Sequence, residues 1–235
     1  MIILSAWRSS VVMGRPAMSA EEIRNNKVSI IRTAMEMIRE SGPASVSARS
    51  LGSRVGMNSA LIYRYFKDID EVVLFACIHV LQEYTEEMSS ARREYEATCT
   101  EISDEYIYLL SWELFSKHAF NNPEEYNILF FSKHSYSLKE AIKEYYLLFP
   151  HDRTEKDDII LEGMFQTSNV RDRNLILLIP VLEGRKTDQE IIMINDMTVA
   201  YFFALLVQLI GNDNNVTPDY QIERIMRAVR YTISL

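Results

Sequence analysis

The chain contains few of the residues that interrupt helices. Its 235 residues include only seven Gly and six Pro. A turn-rich β fold needs more of both, so their scarcity favours helices. The length is enough for one large or two modest domains with a real core. We therefore expect an all-α globular protein.

Cysteine and histidine are also scarce. The two cysteines, Cys77 and Cys99, form no CxxC motif and no disulfide framework, which is typical of a reducing compartment, so we expect a cytoplasmic location. The histidines lack the short spacings of a zinc site. We expect no metal and no cofactor.

Signals of membrane insertion and of catalysis are missing from the sequence as well. Because no segment has 18 uninterrupted apolar residues, we expect no transmembrane span. The motifs GxSxG, GxGxxG, GxxxxGK[ST] and HExxH do not occur. We expect no catalytic residues and no enzyme; an enzyme that uses non-local residues in an aromatic cavity is a weaker alternative.

Charge is divided unevenly along the chain, whose net charge is −8. Residues 1–72 carry ten Lys and Arg against seven Asp and Glu, whereas residues 73–235 carry fifteen against twenty-six. A basic N-terminal part on an acidic protein is compatible with contacts to DNA phosphates.

The stretch from Ser47 to Phe66 reads as two short helices around a glycine turn. Leu51 and Val55 lie one helical turn apart and are expected to share a buried face. Gly56 suits the left-handed end of a helix, and Asn58 suits the N-cap of the next one. The pattern predicts a helix-turn-helix, whose second helix can enter the major groove. An ordinary helical hairpin with a solvated face is the alternative.

A wider set of residues resembles the N-terminal domain of the tetracycline-repressor (TetR) family. It comprises the run from Ile30 to Ile38, then Gly42, Val46-Ser47, Leu51, Val55 to Ala60, Ile62-Tyr63 and Phe66. The chain departs from the family at Gly52, where Ala is usual, at Tyr65, where His is frequent, and at Ile69, where Lys is common. The resemblance implies a dimeric, ligand-responsive transcriptional regulator.

We divide the chain accordingly into a flexible N-terminal arm (residues 1–18), a helix-turn-helix domain (19–70, here the head) and a helical effector-binding and dimerisation domain (71–235, here the body). One long helix from Asp68 to about Glu96 is expected to link head and body. The first helix, from about Ser19 to Gly42, is expected to brace the helix-turn-helix, with a possible break at Asn25-Asn26 and with Lys27 near a phosphate.

Nine residues are the candidates for DNA contact. Ser59 and Ala60 are expected near base edges, and the others at phosphates, at the helix cap or, for Arg15, in the minor groove: Ser47, Arg49, Asn58, Tyr63, Tyr65, Lys67 and Arg15.

The segment from Glu101 to Phe149 is rich in aromatic residues. Aromatic stripes at helical spacing usually form core, and a cavity for a small apolar or aromatic effector is the functional alternative. Tyr hydroxyls, His118 or His134 would orient such a ligand. The candidate ligand-binding residues are Trp112, Phe115, Tyr126, Phe130, His134 and Phe165.

A long helix from about Asp188 to Ile210 is apolar nearly all round, and a further helix starts near Thr217-Pro218. An apolar surface on more than one side must be covered more than once. We expect these helices to pair in a homodimer, as the resemblance also implies; burial within one subunit is the alternative. The candidate interface residues are Met197, Tyr201, Phe202, Leu205, Ile222 and Met226.

Together these features predict a ligand-responsive regulator that binds a palindromic operator in double-stranded DNA as a homodimer, usually as a repressor. The alternative is a helical small-molecule or protein-binding module without DNA recognition.

Overall fold

The computed structural model describes residues 18–99, 103–133, 135–150, 169–211 and 216–234. Within these ranges the chain forms helices and turns and contains no strand, so the all-α class is confirmed. The helices, numbered in chain order, are α1 Ala20–Ser41, α2 Ala48–Val55, α3 Ser59–Ile62, α4 Ile69–Cys77, α5 Val80–Thr98, α6 Asp104–Asn121, α7 Pro123–Phe131, α8 Leu138–Leu148, α9 Val170–Leu182, α10 Asp188–Ile210 and α11 Pro218–Ser234.

Helix α1 supports the rest of the head. Ser19 caps it, because the Ser19 hydroxyl accepts a hydrogen bond from the Glu22 backbone N–H at 3.1 Å. The helix continues without a break past Asn25 and Asn26, so the possible break is absent. Its inner stripe is fully buried against α2 and α4, and includes Ile30, Ile31 and Ala34.

Helices α2 and α3 form the predicted helix-turn-helix. Leu51 is fully buried on α2, and Gly56 ends that helix in the left-handed region with φ 74° and ψ 26°. The Asn58 side chain accepts a hydrogen bond from the Ala60 N–H at 2.9 Å, as an N-cap does. Regular α-helical structure then ends at Ile62, earlier than expected, and the chain reaches Phe66 through a turn with i to i+3 hydrogen bonds.

The single linking helix expected from Asp68 to Glu96 is wrong, because two helices occupy this segment. Around Ile78 and His79 the backbone changes to i to i+3 hydrogen bonds, including Leu81 N–H to the Ile78 carbonyl at 3.0 Å. The His79 ring lies 2.6 Å from the Ala76 carbonyl, which it reaches through Nδ1. The i to i+3 segment separates α4 from α5.

The body is a bundle around α6 and α10. Helix α6 packs against α5, α9 and α11, and α10 packs against α7, α9 and α11. Helix α4 joins the two parts of the chain, since it packs against α1 on one side and against α7 and α8 on another. Helix α10 has the extent that the sequence pattern predicts, and α11 begins where the pattern predicts.

Helix α10, with 23 residues, is long and apolar enough to cross a membrane by length and composition alone. The expectation of no span rested on uninterrupted runs, and Asn195 and Asp196 interrupt this one. Seven residues of α10 are buried within the subunit, and α9 and α11 pack along it. The core helix of a folded domain meets the same criterion, and we interpret α10 as such a helix.

Gly52 allows the close approach of α2 to the turn that follows it. A Cβ at this position would lie 2.8 Å from the Met57 carbonyl oxygen and 3.4 Å from the Ser59 nitrogen. We predict that Gly52→Ala lowers the free energy of unfolding by about 1 kcal/mol, because overpacking against fixed backbone (about 1–3 kcal/mol) exceeds the gain of about 1 kcal/mol in helix propensity. Chemical denaturation measures the change. Ser53→Ala, at the exposed neighbouring position, is the control, and a Gly52→Ala protein as stable as that control would contradict the prediction.

Candidate DNA-binding surface and ligand site

The start of α3 and the turn after it present accessible side chains. Tyr63 is 51% exposed, Ala60 and Lys67 are exposed, and Ser59 is half-buried. The predicted contacts Ser47, Arg49 and Asn58 are also exposed, and Ser47 additionally caps α2 by accepting from the Ser50 N–H at 3.1 Å. Arg15 lies outside the described residues.

The cationic side chains of this region differ in whether they form an ion pair with a carboxylate. Arg54 makes two hydrogen bonds to the Glu40 carboxylate, at 2.5 and 2.6 Å, so its charge is largely neutralised. Arg49, Arg64 and Lys67 are exposed and make no ion pair within the described part of the chain. Arg64 was not among the predicted contacts. Its position beside Tyr63, on the outward side of the helix that the sequence predicts, could have identified it.

Tyr65 occupies a different place from the phosphate-contacting position that the sequence suggested. It is only 8% exposed, and its hydroxyl accepts a hydrogen bond from Asn26 Nδ2 at 2.8 Å. The same hydroxyl lies 3.5 Å from the Met18 sulfur. Tyr65 faces inward with its neighbour Phe66, so we assign it to fixing the end of the helix-turn-helix on α1.

Lys27, expected near a phosphate, lies instead between head and body. Its ammonium group is 2.5 Å from Glu144 on α8 and 5.3 Å from the centre of the Phe66 ring. One turn earlier, the Arg24 guanidinium donates to the carbonyls of Leu147 and Leu148 at 3.4 and 3.3 Å. Carbonyls in the last turn of a helix lack intrahelical partners and favour a cation. The contacts give α8 a direct connection to the helix-turn-helix through α1.

Four of the predicted ligand-binding residues come together in the body. Phe115 is at their centre, with ring-centre distances of 6.2 Å to Trp112, 5.5 Å to Tyr126 and 5.4 Å to Phe130. All four are buried, and the Tyr126 hydroxyl has no hydrogen-bond partner among the described residues. Burial raises the pKa of Tyr126 well above its usual value, so the phenol stays protonated. His134 and Phe165 lie outside the described residues.

His118, a candidate for orienting a ligand, connects two helices instead. Its Nε2 lies 2.7 Å from the Glu87 carboxylate on α5, and Lys117 donates to the same carboxylate at 2.6 Å. These partners, Lys117 first, lower the pKa of Glu87, while its partial burial acts in the opposite direction. We therefore assign His118 to the contact between α5 and α6.

A chain of buried polar side chains crosses the body beside the aromatic residues. The Trp112 indole donates to Asn174 Oδ1 at 2.8 Å, and Asn174 Nδ2 donates to Asn195 Oδ1 at 2.8 Å. The three residues come from α6, α9 and α10, and their exposed fractions are 4%, 5% and 0%. Sequence reasoning identified only Trp112, because Asn174 and Asn195 are polar positions within apolar helices and carry no motif.

Arg173 adds a positive charge to this interior. Its guanidinium carbon lies 4.9 Å from the centre of the Phe130 ring, a cation–π geometry. Burial lowers the pKa of Arg173 to about 10, and the guanidinium remains charged at neutral pH. The body thus combines aromatic walls with several polar groups, as ligand sites in proteins do.

The structure divides the predicted dimer interface between two faces of α10. Phe202 and Leu205 are fully buried, and Met226 on α11 is 4% exposed, so these three belong to the core of the subunit. Phe202, for example, lies 5.2 Å from Phe115. Met197 is 58% exposed, and Tyr201 and Ile222 are half-buried.

The exposed face of α10 is itself apolar. It carries side chains that are 38–58% exposed, namely Ile192, Met193, Met197, Phe203 and Val207. The sequence pattern could not separate this face from the buried one, because a helix that is apolar all round has no polar stripe to mark its orientation.

Comparison with known proteins identifies the N-terminal part of the chain. Residues 30–75 match the family described as "Bacterial regulatory proteins, tetR family". A search of curated proteins gives no significant match.

Two solved structures are similar to this chain in fold. Thermus thermophilus FadR, a TetR-family transcriptional repressor in complex with lauroyl-CoA, has a TM-score of 0.51 and 13% identity over 86% of this chain and 92% of its own. RolR in complex with resorcinol has a TM-score of 0.51 and 12% identity over 92% of this chain and 95% of its own. At this identity the likeness shows the fold, a helix-turn-helix head followed by a helical domain.

The hydrogen bond between Asn26 and Tyr65 should stabilise the head. We predict that Tyr65→Phe lowers the free energy of unfolding by about 1 kcal/mol, because it leaves a half-buried amide without its acceptor. Tyr63→Phe removes a hydroxyl from an exposed ring two residues away and should leave stability unchanged. Equal denaturation midpoints for the two variants would show that the Asn26 contact contributes nothing.

Proposed function

We propose that the protein is a homodimeric, effector-responsive DNA-binding regulator that usually acts as a repressor. The reason is that the N-terminal domain of the chain belongs to the tetR family of bacterial regulatory proteins. The observation that carries the proposal is the accessible helix-turn-helix, with its short α3 and the free cations beside it. The proposal includes a non-enzymatic role and a cytoplasmic location.

The DNA contacts follow from accessibility and residue type. Ser59 and Ala60 at the start of α3 are small enough to approach base edges, and Asn58 lies next to them. Tyr63 and Lys67 carry donors that suit phosphates, as do three residues outside α3: Ser47, Arg49 and Arg64. We keep Arg15 as a candidate for the minor groove and no longer include Tyr65. Phosphate contacts give affinity and register, whereas base contacts give sequence preference.

The body is the proposed effector-binding and dimerisation domain. Its aromatic interior, around Phe115, has the composition of a site for a small apolar or aromatic molecule. FadR and RolR, which share the fold, were solved with lauroyl-CoA and resorcinol, so ligands of both kinds are compatible with such a domain. Trp112, Tyr126 and Phe130 remain proposed ligand contacts, together with His134 and Phe165.

Effector control requires that the ligand prefers one arrangement of the two heads. By linkage, DNA and effector then weaken each other's binding by the same factor. Helix α4 and the contacts of α8 with Arg24 and Lys27 supply two connections through which the body can alter the position of a head. The rival function, a binding module without DNA recognition, needs no such connection.

Lys67 offers a test of DNA binding that does not need the operator sequence. Each phosphate contact contributes a slope of about 0.9 to the dependence of log affinity on log salt concentration. We predict that Lys67→Ala weakens binding to any duplex and, because a homodimer loses one contact in each head, reduces this slope by about two, measured by fluorescence anisotropy across a salt series.

The matched control for this experiment is Arg93→Ala, which removes an exposed cation from α5 in the body. It should leave the slope unchanged. Equal slopes for Lys67→Ala and the unmodified protein would remove Lys67 from the interface, and an absence of duplex binding by the unmodified protein would favour the rival function.

The exposed apolar face of α10 is the proposed dimer contact. We predict that Met197→Glu produces monomers in sedimentation velocity, because a carboxylate would be buried against an apolar partner surface. Phe202→Glu is unsuitable for this test, since Phe202 is fully buried within one subunit and the substitution should unfold the chain.

Ser90→Glu places the same charge on an exposed position of α5 and should leave the dimer intact. A folded Met197→Glu protein that sediments as a dimer would exclude this face from the interface.

A further inference from the structure

The polar chain from α6 to α10 has a fixed direction. An indole nitrogen can only donate a hydrogen bond, so the atom of Asn174 that faces Trp112 must be its oxygen. The amide nitrogen of Asn174 therefore points the other way and donates to Asn195, which must present its own oxygen. The orientations of both amides follow from the chemistry of one tryptophan, without any choice between alternative amide flips.

The polar chain ends at a hydrogen-bond donor, the amide nitrogen of Asn195. With Asn195 Oδ1 used by Asn174, the two N–H bonds of Asn195 Nδ2 remain, and they have no hydrogen-bond partner among the described residues. Asn195 is fully buried, so bulk water does not reach this amide. Burying a donor without a partner is costly, and native proteins retain few such donors without a reason.

The surroundings of Asn195 are aromatic and, at the polar chain itself, uncharged. Trp112 leads directly to the aromatic residues, with ring-centre distances of 5.5 Å to Phe202 and 6.2 Å to Phe115. The Tyr108 hydroxyl lies beside Trp112 and Asn174, and burial raises the pKa of Tyr108 to about 12, so it stays a neutral phenol. Trp112, Asn174, Asn195 and Tyr108 are thus all neutral, and the Asn195 amide among them keeps hydrogen-bond donors without a partner among the described residues.

We propose that Asn195 orients the effector and that the effector is an uncharged aromatic or acyl compound whose carbonyl oxygen accepts from the Asn195 amide. This inference rests on the proposed function, because it concerns the effector site of the body, and it adds the chemical class of the ligand. A carboxylate at Asn195 would meet no cation among Trp112, Tyr108 and Asn174, and the buried Arg173 guanidinium lies over the Phe130 ring instead. A carbonyl oxygen requires no such counter-charge. A hydrocarbon would leave the Asn195 donors unsatisfied.

The sequence supplies a reporter for this site. The chain has two tryptophans, Trp7 and Trp112, so Trp7→Phe leaves the indole of the polar chain as the only tryptophan signal. In ¹H–¹⁵N spectra its N–H resonance reports the hydrogen bond to Asn174 directly. Acetophenone, ethylbenzene and benzoate are the probes, since they share a phenyl ring and differ in the group that meets Asn195.

We expect acetophenone to shift the Trp112 resonance saturably and to bind about fivefold to tenfold more tightly than ethylbenzene, the difference that one neutral hydrogen bond provides. Benzoate should bind more weakly than the ketone. A longer pair, 2-nonanone and nonane, should show the same preference for the carbonyl. The absence of a preference for the ketone in both pairs, or tighter binding of benzoate, would overturn the proposal.

Variants connect the preference to Asn195. Asn195→Met removes the amide donor, and it should abolish the preference for acetophenone over ethylbenzene. Asn195→Leu, checked for an unchanged fold by its melting curve, should do the same. Thr85→Val is the control, because the Thr85 hydroxyl donates to the Gln82 carbonyl of its own helix at 2.8 Å and is similarly buried, on α5.

Persistence of the ketone preference in both Asn195 variants, or its loss in Thr85→Val, would contradict the assignment. The experiment contains no DNA. A failure here would leave the proposed DNA binding untouched, and a failure of DNA binding would leave this ligand assignment standing.

Discussion

One turn of α1 holds together the parts of the molecule that the proposed function needs. Asn26 fixes Tyr65 at the end of the helix-turn-helix, while Lys27 contacts Phe66 on the same side and Glu144 of α8 on the other. Arg24 adds hydrogen bonds to the last carbonyls of α8. Because the Lys27–Glu144 pair is partly exposed, it contributes little to stability, about 0–1 kcal/mol. Weak, specific contacts of this kind allow a head to change position at small cost.

Helix α10 has two apolar faces, one buried in the core of the subunit and one exposed. Its inner face, which includes Phe202, fills the aromatic core and also carries Asn195 at the end of the polar chain. Its outer face, which includes Met197, remains apolar and exposed in the single subunit. In the proposed dimer the ligand site and the subunit contact therefore lie on opposite sides of the same rigid element, so a ligand that displaces α10 would also affect the pairing of the heads.

Much of the fold could be predicted from the sequence because local signals agree with it. The capping residues Ser19 and Asn58 and the left-handed Gly56 mark helix ends through their own backbone chemistry. The break at His79 could not be predicted, since no Gly or Pro occurs between residues 68 and 96 to mark it. Which face of α10 is buried, and that Tyr65 is buried, could not be predicted either, because tertiary packing decides which side of a helix meets the core. The polar chain was missed for the same reason: its members are 62 and 21 residues apart in sequence.

The central claim is that two copies of α3 read one duplex. Selection of bound sequences from a random pool of double-stranded DNA by the purified protein tests it most directly. The account predicts enrichment of an inverted repeat, whose half-sites lie about one helical turn or a multiple of it apart. Enrichment of a single unrepeated site, or of no sequence at all, would contradict it.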